Sequence, residues 1–259
     1  MENQEWVSGK VRLSLYGQPV EMEMTVPAKP VKPSRMLPIL QAMTSAFVEL
    51  GVSVVEAQGE KISCKAGCGA CCRQAVPLAE AEVYQISELV EKMPEPRRTQ
   101  IKRRFAEGAR RFHENGWFEK MESYPQLSAK DRLDLVMEYF YEGVPCPFLE
   151  DESCSIHPDR PLACREYLVT SDPAHCARPT AETIRQMRMK IKPSIAVLEM
   201  SLTKNLGNEF FVPMIRALEW AETHADIAEE KTGEEWMAEF FRRLSKAEIQ
   251  ASEADGEAR

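Results

Sequence analysis

The sequence predicts a mainly α fold, an irregular helical bundle preceded by a small N-terminal β-hairpin. Three observations lead there. Apolar residues recur at helical spacing over most of the chain, strict alternation is confined to residues 9–26, and prolines punctuate the segments between stripes.

Val11, Leu13 and Leu15 alternate on one face, as do Val20, Met22, Met24 and Val26, with Gly17-Gln18-Pro19 as the expected turn. Pro27, Pro30 and Pro33 then favour an extended linker. From Ser34, read as an N-cap, Met36, Leu40, Met43, Phe47 and Leu50 mark a helix running past Gly51 towards Gln58. Val83, Ile86, Val90 and Met93 form a second stripe. Ile101, Phe105 and Phe112 form a third beyond Pro94 and Pro96, and Leu133, Val136, Met137 and Phe140 a fourth. The most regular spacing belongs to Ile184, Met187, Ile191, Ile195, Leu198 and Leu202, with a bend at Pro193. Phe211, Met214, Leu218 and Ala221 predict one more helix, and Trp236, Phe240 and Leu244 another. These stripes read as core, and the methionines as packing. The resulting division is a hairpin and linker over 1–33, a helical domain over 34–247 and a flexible acidic tail over 248–259.

With 259 residues and 44% hydrophobic content, the chain is long enough to bury a sizeable core. Its formal net charge of -8 argues against general affinity for nucleic acid. A local basic group, Arg97, Arg98, Lys102, Arg103, Arg104, Arg110 and Arg111, is the best candidate for an acidic protein or RNA partner, against the reading as a solvated helical face. The first residues have neither a basic nor an apolar signal region, and no unbroken run of about 18 apolar residues occurs, so a cytoplasmic protein without a membrane span is expected.

The eight cysteines carry the functional signal. Cys64, Cys68, Cys71 and Cys72 fall within nine residues, and Cys146, Cys154, Cys164 and Cys176 lie far downstream. A reducing compartment disfavours disulfides, whereas crowded thiolates are the ligands that soft metal ions and iron–sulfur clusters prefer. The expectation is a site closed by tertiary folding, with thiols from both regions. Cys68 and Cys71 have the spacing of a chelating pair, and Gly67 and Gly69 allow backbone amides to approach the sulfurs. Adjacent Cys71 and Cys72 are harder to seat on one ion. One of them serves a different iron of a cluster, a second metal, or the surroundings of the site, and Cys71 is the first choice as ligand. Lys61, Lys65, Arg73, Arg160 and Arg165 bring positive charge near the thiols. His157 and His175 are additional candidates that eight cysteines make unnecessary.

The Cys64-x3-Cys68-x2-Cys71-Cys72 run, followed by Cys-Pro-Phe-Leu at 146, Cys-Ser-Ile at 154 and Arg-Pro-Leu-Ala-Cys-Arg at 160, resembles the YkgJ-type cysteine-cluster family, a zinc- or iron-chelating group with a CxxCxxCC signature. The resemblance spans roughly 60–170. It departs from the signature in the three-residue first gap and in His157, where a tyrosine is expected. It implies a metal-binding protein holding an iron–sulfur cluster or zinc. The cysteine region is also similar to that of flagellin lysine N-methylase, which implies a protein-modifying enzyme as the alternative, and a zinc-stabilised interaction module is a third reading. The chain has no Gly-rich strand-to-helix turn for an adenosyl group and too few βα units for a radical-SAM barrel, although Cys64, Cys68 and Cys71 fit that bare spacing.

Overall fold

The protein, described from a computed structural model, is defined over residues 5–180, 182–207 and 209–256, with the side chains of Gln18 and of 245–256 outside the described set. Two antiparallel strands, β1 (Trp6–Leu15) and β2 (Gln18–Pro27), open the chain. Next come α1 (Leu37–Ala57), β3 (Pro77–Leu78), α2 (Glu80–Glu91), α3 (Arg97–Glu114), α4 (Trp117–Met121) and α5 (Ala129–Tyr141). After them follow β4 (Leu149–Glu150), β5 (Ser153–Cys154), α6 (Leu162–Glu166), α7 (Pro193–Met200), β6 (Val212–Pro213), α8 (Ala217–Thr223) and α9 (Gly233–Gly256). The fold is mainly α with a small N-terminal hairpin.

The chain forms two compact units, which cross the sequence-based divisions at 33/34 and 247/248. Unit 1 comprises 1–64, 164–201 and 228–259, and unit 2 comprises 65–163 and 202–227. Sequence-local cues do not show such interleaving, because it depends on which distant segments pack together.

In unit 1 the hairpin turns at Tyr16-Gly17, both at positive φ, one residue earlier than the Gly17-Gln18-Pro19 expected. A two-residue turn with both residues left-handed matches strand twist, and Pro19 is accommodated opposite Ser14. α1 begins at Leu37, after a 3-10 turn over Pro33–Met36 that takes in Ser34. Pro33–Ala57 is, by length and composition alone, long and apolar enough to cross a membrane. The expectation above counted only unbroken apolar runs. Here Leu37, Leu40, Met43 and Phe47 are buried, and Gly51 fits under the Tyr16 hydroxyl, where a Cβ would stand only 2.9 Å from it.

The stripe at 184–202 is a second correction. Only Pro193–Met200 is helical; the preceding segment is extended, bridging Val169 to Gln186 and giving the Met187 amide to the Leu168 carbonyl. Pro193 sits at the helix start, where its fixed φ and missing N–H cost nothing, so it begins the helix instead of bending it. α9 starts on a Thr232/Glu235 capping box and places Trp236, Phe240 and Leu244 in the core. Its backbone stays helical to Gly256, through most of the segment read as a tail; residues 257–259 lie outside the described ones.

Unit 2 is built on Leu78, Val83, Ile86, Val90, Ile101, Phe105, Phe148, Ile156, Val212 and Trp220, which form one buried cluster. Full burial of side chains such as Phe148 and Ile101 contributes about 1.5–3 kcal/mol each. β3 pairs with β6, so Phe211 to Ala221 is a short strand and a 3-10 turn before α8, rather than one helix. A second aromatic group comprises Phe112 stacked on Tyr139 at 4.1 Å, with Trp117 edge-on to both and its indole N–H donated to the Leu135 carbonyl.

The basic face of α3 resolves into ion pairs. Arg97 meets Glu150, Arg98 meets Glu95, Lys102 meets Glu91, Arg103 meets Glu107, Arg104 meets Glu150, Arg110 meets Glu114 and Arg111 meets Glu142. Most are exposed pairs of small energetic weight. Arg104 differs, because it also donates to the Pro147 carbonyl at 3.1 Å and so grips the second cysteine segment.

Candidate metal centre

Unit 2 gathers thiols from both cysteine regions. The first segment leaves the left-handed Gly67 and enters a 3-10 turn over Ala70–Arg73, where the Cys72 amide bonds the Gly69 carbonyl at 2.9 Å. The second starts with a turn over Cys146-Pro-Phe-Leu149, closed by the Leu149 amide on the Cys146 carbonyl at 2.9 Å, and continues through the β4–β5 hairpin. Three contacts join the segments. The Cys146 amide donates to the Cys72 carbonyl at 2.7 Å. Arg73 forks onto Glu152, at 2.7 Å to Oε1 and 3.2 Å to Oε2, and also donates to the Gly69 carbonyl. Gly69 lies so close to the hairpin that a Cβ there would meet Leu149 Cδ1 at 2.6 Å and the Glu152 carbonyl oxygen at 3.0 Å.

The result brings Cys71 within electrostatic reach of Cys72, Cys146 and Cys154, and Cys146 within reach of Cys154. The Cys71 thiol is pushed far above the ordinary range, first by its hydrogen bond with Cys72 and then by burial, with Arg160 opposing. Burial pushes Cys146 up to about 12, with Cys154 and Cys71 adding to the rise. Cys154 is also raised by burial, while Arg160 pulls it down. The backbone N–H of Phe148 bonds the Cys146 sulfur and that of Ile156 the Cys154 sulfur, each lowering the thiol pKa. Each of these amides lies two residues downstream of the cysteine it serves. Cys146 and Cys154 also pack against the core cluster, which fixes their backbones.

All eight cysteines are thiols, each partly exposed. Cys68 heads the first turn, its amide on the Lys65 carbonyl at 3.2 Å. Cys64 belongs to unit 1, where its sulfur accepts from the Val169 amide at 3.4 Å. Cys164 lies on α6 beside the buried Arg165, which donates to Ser45 Oγ. Cys176 is on a 3-10 turn over Pro173–Ala177, and both are in unit 1. His157 and His175 are exposed. Among the described residues, no three His, Cys, Asp or Glu side chains already stand closely enough to hold a single ion.

The donor set fits a soft, thiophilic group. Partly buried thiols with amide N–H groups and a guanidinium beside them keep their protons in the absence of a metal and lose them when a cation takes their place. Comparison with known families agrees. Residues 63–188 match the family model CxxCxxCC, described as "Putative zinc- or iron-chelating domain". The match supports metal binding by this segment and covers just under half the chain. No curated protein and no solved structure matches.

Within the matched residues 63–188, side chains other than cysteines shape the centre. Glu82, 1% exposed, accepts from the Ala79 amide at 3.0 Å and from the Leu162 amide at 2.8 Å, so it fastens the Arg-Pro-Leu-Ala-Cys segment to the start of α2. Glu150 and Glu152 hold the hairpin between Arg104 and Arg73. Sequence reading singled out Arg73 and missed these carboxylates. An acidic residue three positions into a helix was the available signal for Glu82; the hairpin glutamates left none.

Proposed function

We propose that the chain is a metalloprotein whose CxxCxxCC domain holds an iron–sulfur cluster through Cys71, Cys72, Cys146 and Cys154, in an electron-transfer or sensing role within a reducing, cytoplasmic compartment. The meeting of four thiols from two distant segments, with backbone amides aimed at two of the sulfurs, carries this reading. The adjacent Cys71 and Cys72 favour a cluster over one zinc ion, because a cluster seats neighbouring cysteines on different irons.

The bound cluster would supply a one-electron redox centre. The chain's own part is to fix Cys146 and Cys154 against the core, direct amides to their sulfurs and balance negative charge with Arg160. These features stabilise the anionic form and tune potential.

The test is iron, zinc and sulfide analysis, with a visible spectrum, on protein purified without oxygen. Iron with sulfide and a broad absorption that bleaches on reduction supports the cluster. Zinc with a featureless spectrum replaces it with a structural metal.

A further inference from the structure

We infer that the β4–β5 hairpin is a lid over the thiol cluster and that Arg73 and Glu152 are its latch, so that access to the centre, and metal exchange where the reading above holds, is set by this ion pair. The hairpin turns on Asp151 and Glu152, at φ +47° and +56°. Two consecutive left-handed residues without a glycine are disfavoured and persist only where other contacts hold them. The holding contact is Glu152 itself. Its carboxylate takes both ends of the Arg73 guanidinium, and the same guanidinium caps the Gly69 carbonyl.

The pair links the two thiol-bearing segments across their shortest sequence route to the sulfurs. Arg73 follows Cys72 directly, and Glu152 stands two residues before Cys154. On the opposite flank Glu150 meets Arg97 and Arg104, and Arg104 holds the Pro147 carbonyl, which leaves the Cys146 end anchored. Opening would therefore swing Cys154 away from Cys71 while Cys146 stays in place. Arg73 and Glu152 have side chains 31% and 54% exposed, so their separation disturbs no core packing.

The experiment measures alkylation of each cysteine by iodoacetamide in metal-free full-length protein, read by peptide mass spectrometry. Glu152→Gly removes the carboxylate while suiting the left-handed turn. It should raise Cys154 alkylation about threefold relative to Cys64, the modest factor appropriate to an exposed pair. Salt at about 1 M should speed the wild type by a similar factor and leave the variant unchanged. Arg73→Glu with Glu152→Arg should recover part of the protection, and Arg103→Gln should behave as wild type. Equal Cys154 rates in wild type and variant, or an equal salt response in both, overturns the latch. A rise at Cys146 as large as at Cys154 would report unfolding of unit 2, in which case Glu152→Gln decides by the same comparison. With metal bound, release to a chelator should quicken in parallel. Wild-type protein that never binds metal would sink the metal reading and still leave the alkylation result to decide the latch.

Discussion

The two cysteine segments of unit 2 are ordered by different means. The downstream one, from Cys146 to Leu162, is moored by core side chains: Phe148, Ile156 and Leu162 are at most 4% exposed, and buried Glu82 and Arg104 bind its backbone. The upstream one, from Lys65 to Gln74, buries only Gly69 and takes its position from short local turns and from the three contacts to its partner. A rigid half-site thus templates a softer one. Cys146 and Cys154 are set by folding, whereas Cys71 and Cys72 depend on the interlock. Metal binding should therefore order the upstream segment more than the downstream one.

The most severe way to break this contrast is Phe148→Ala, which empties a core position beside Phe105. It should cost about 3–5 kcal/mol and abolish metal binding along with the fold of unit 2, as urea unfolding would record. Gly69→Ala should act on the interlock alone. Its Cβ would force the upstream turn off Leu149 and the Glu152 backbone, at a cost of about 1–3 kcal/mol, with metal content falling while unit 2 stays folded. Glu82→Gln can satisfy only one of two buried amides with its single acceptor oxygen, and should lower stability by about 1–2 kcal/mol with metal retained.

A pH series sharpens the comparison further. In metal-free protein Cys146 keeps its proton up to about 12, whereas an unfolded thiol ionises near ~8.5. Between those values the folded state binds more protons, so this contribution is whole below about pH 8.5 and is lost as pH rises towards 12. The urea midpoint should fall between about pH 8 and about pH 10, and Cys146→Ser should flatten that decline. The smallest effect is expected for Cys176→Ser, in unit 1 on a turn among exposed neighbours, with metal content close to wild type.

Much of this was legible in the sequence, and the rest failed for identifiable reasons. Stripes such as Val83-Ile86-Val90 and Trp236-Phe240-Leu244 lie in the core as periodicity predicts, because one packed face suffices to fix them. The stripe at Ile184–Ile191 misled because a bridge to Val169 outcompeted helical propensity, a partner invisible to any local window. Cysteine crowding and the downstream motifs pointed to a metal. Which thiols meet depends on the Cys146–Cys72 backbone bond and the hairpin clasp, and neither has a sequence signature. The run from Arg97 to Arg111 left both a solvated face and a partner surface open in sequence, because its carboxylate partners include residues as remote as Glu150 and Glu142.

The most direct test is metal and sulfide content of Cys71→Ser and Cys146→Ser, each purified without oxygen and compared with wild type. The account predicts that both variants lose metal, Cys71→Ser with unit 2 still folded. Full stoichiometry in either variant would contradict a centre shared by the two segments.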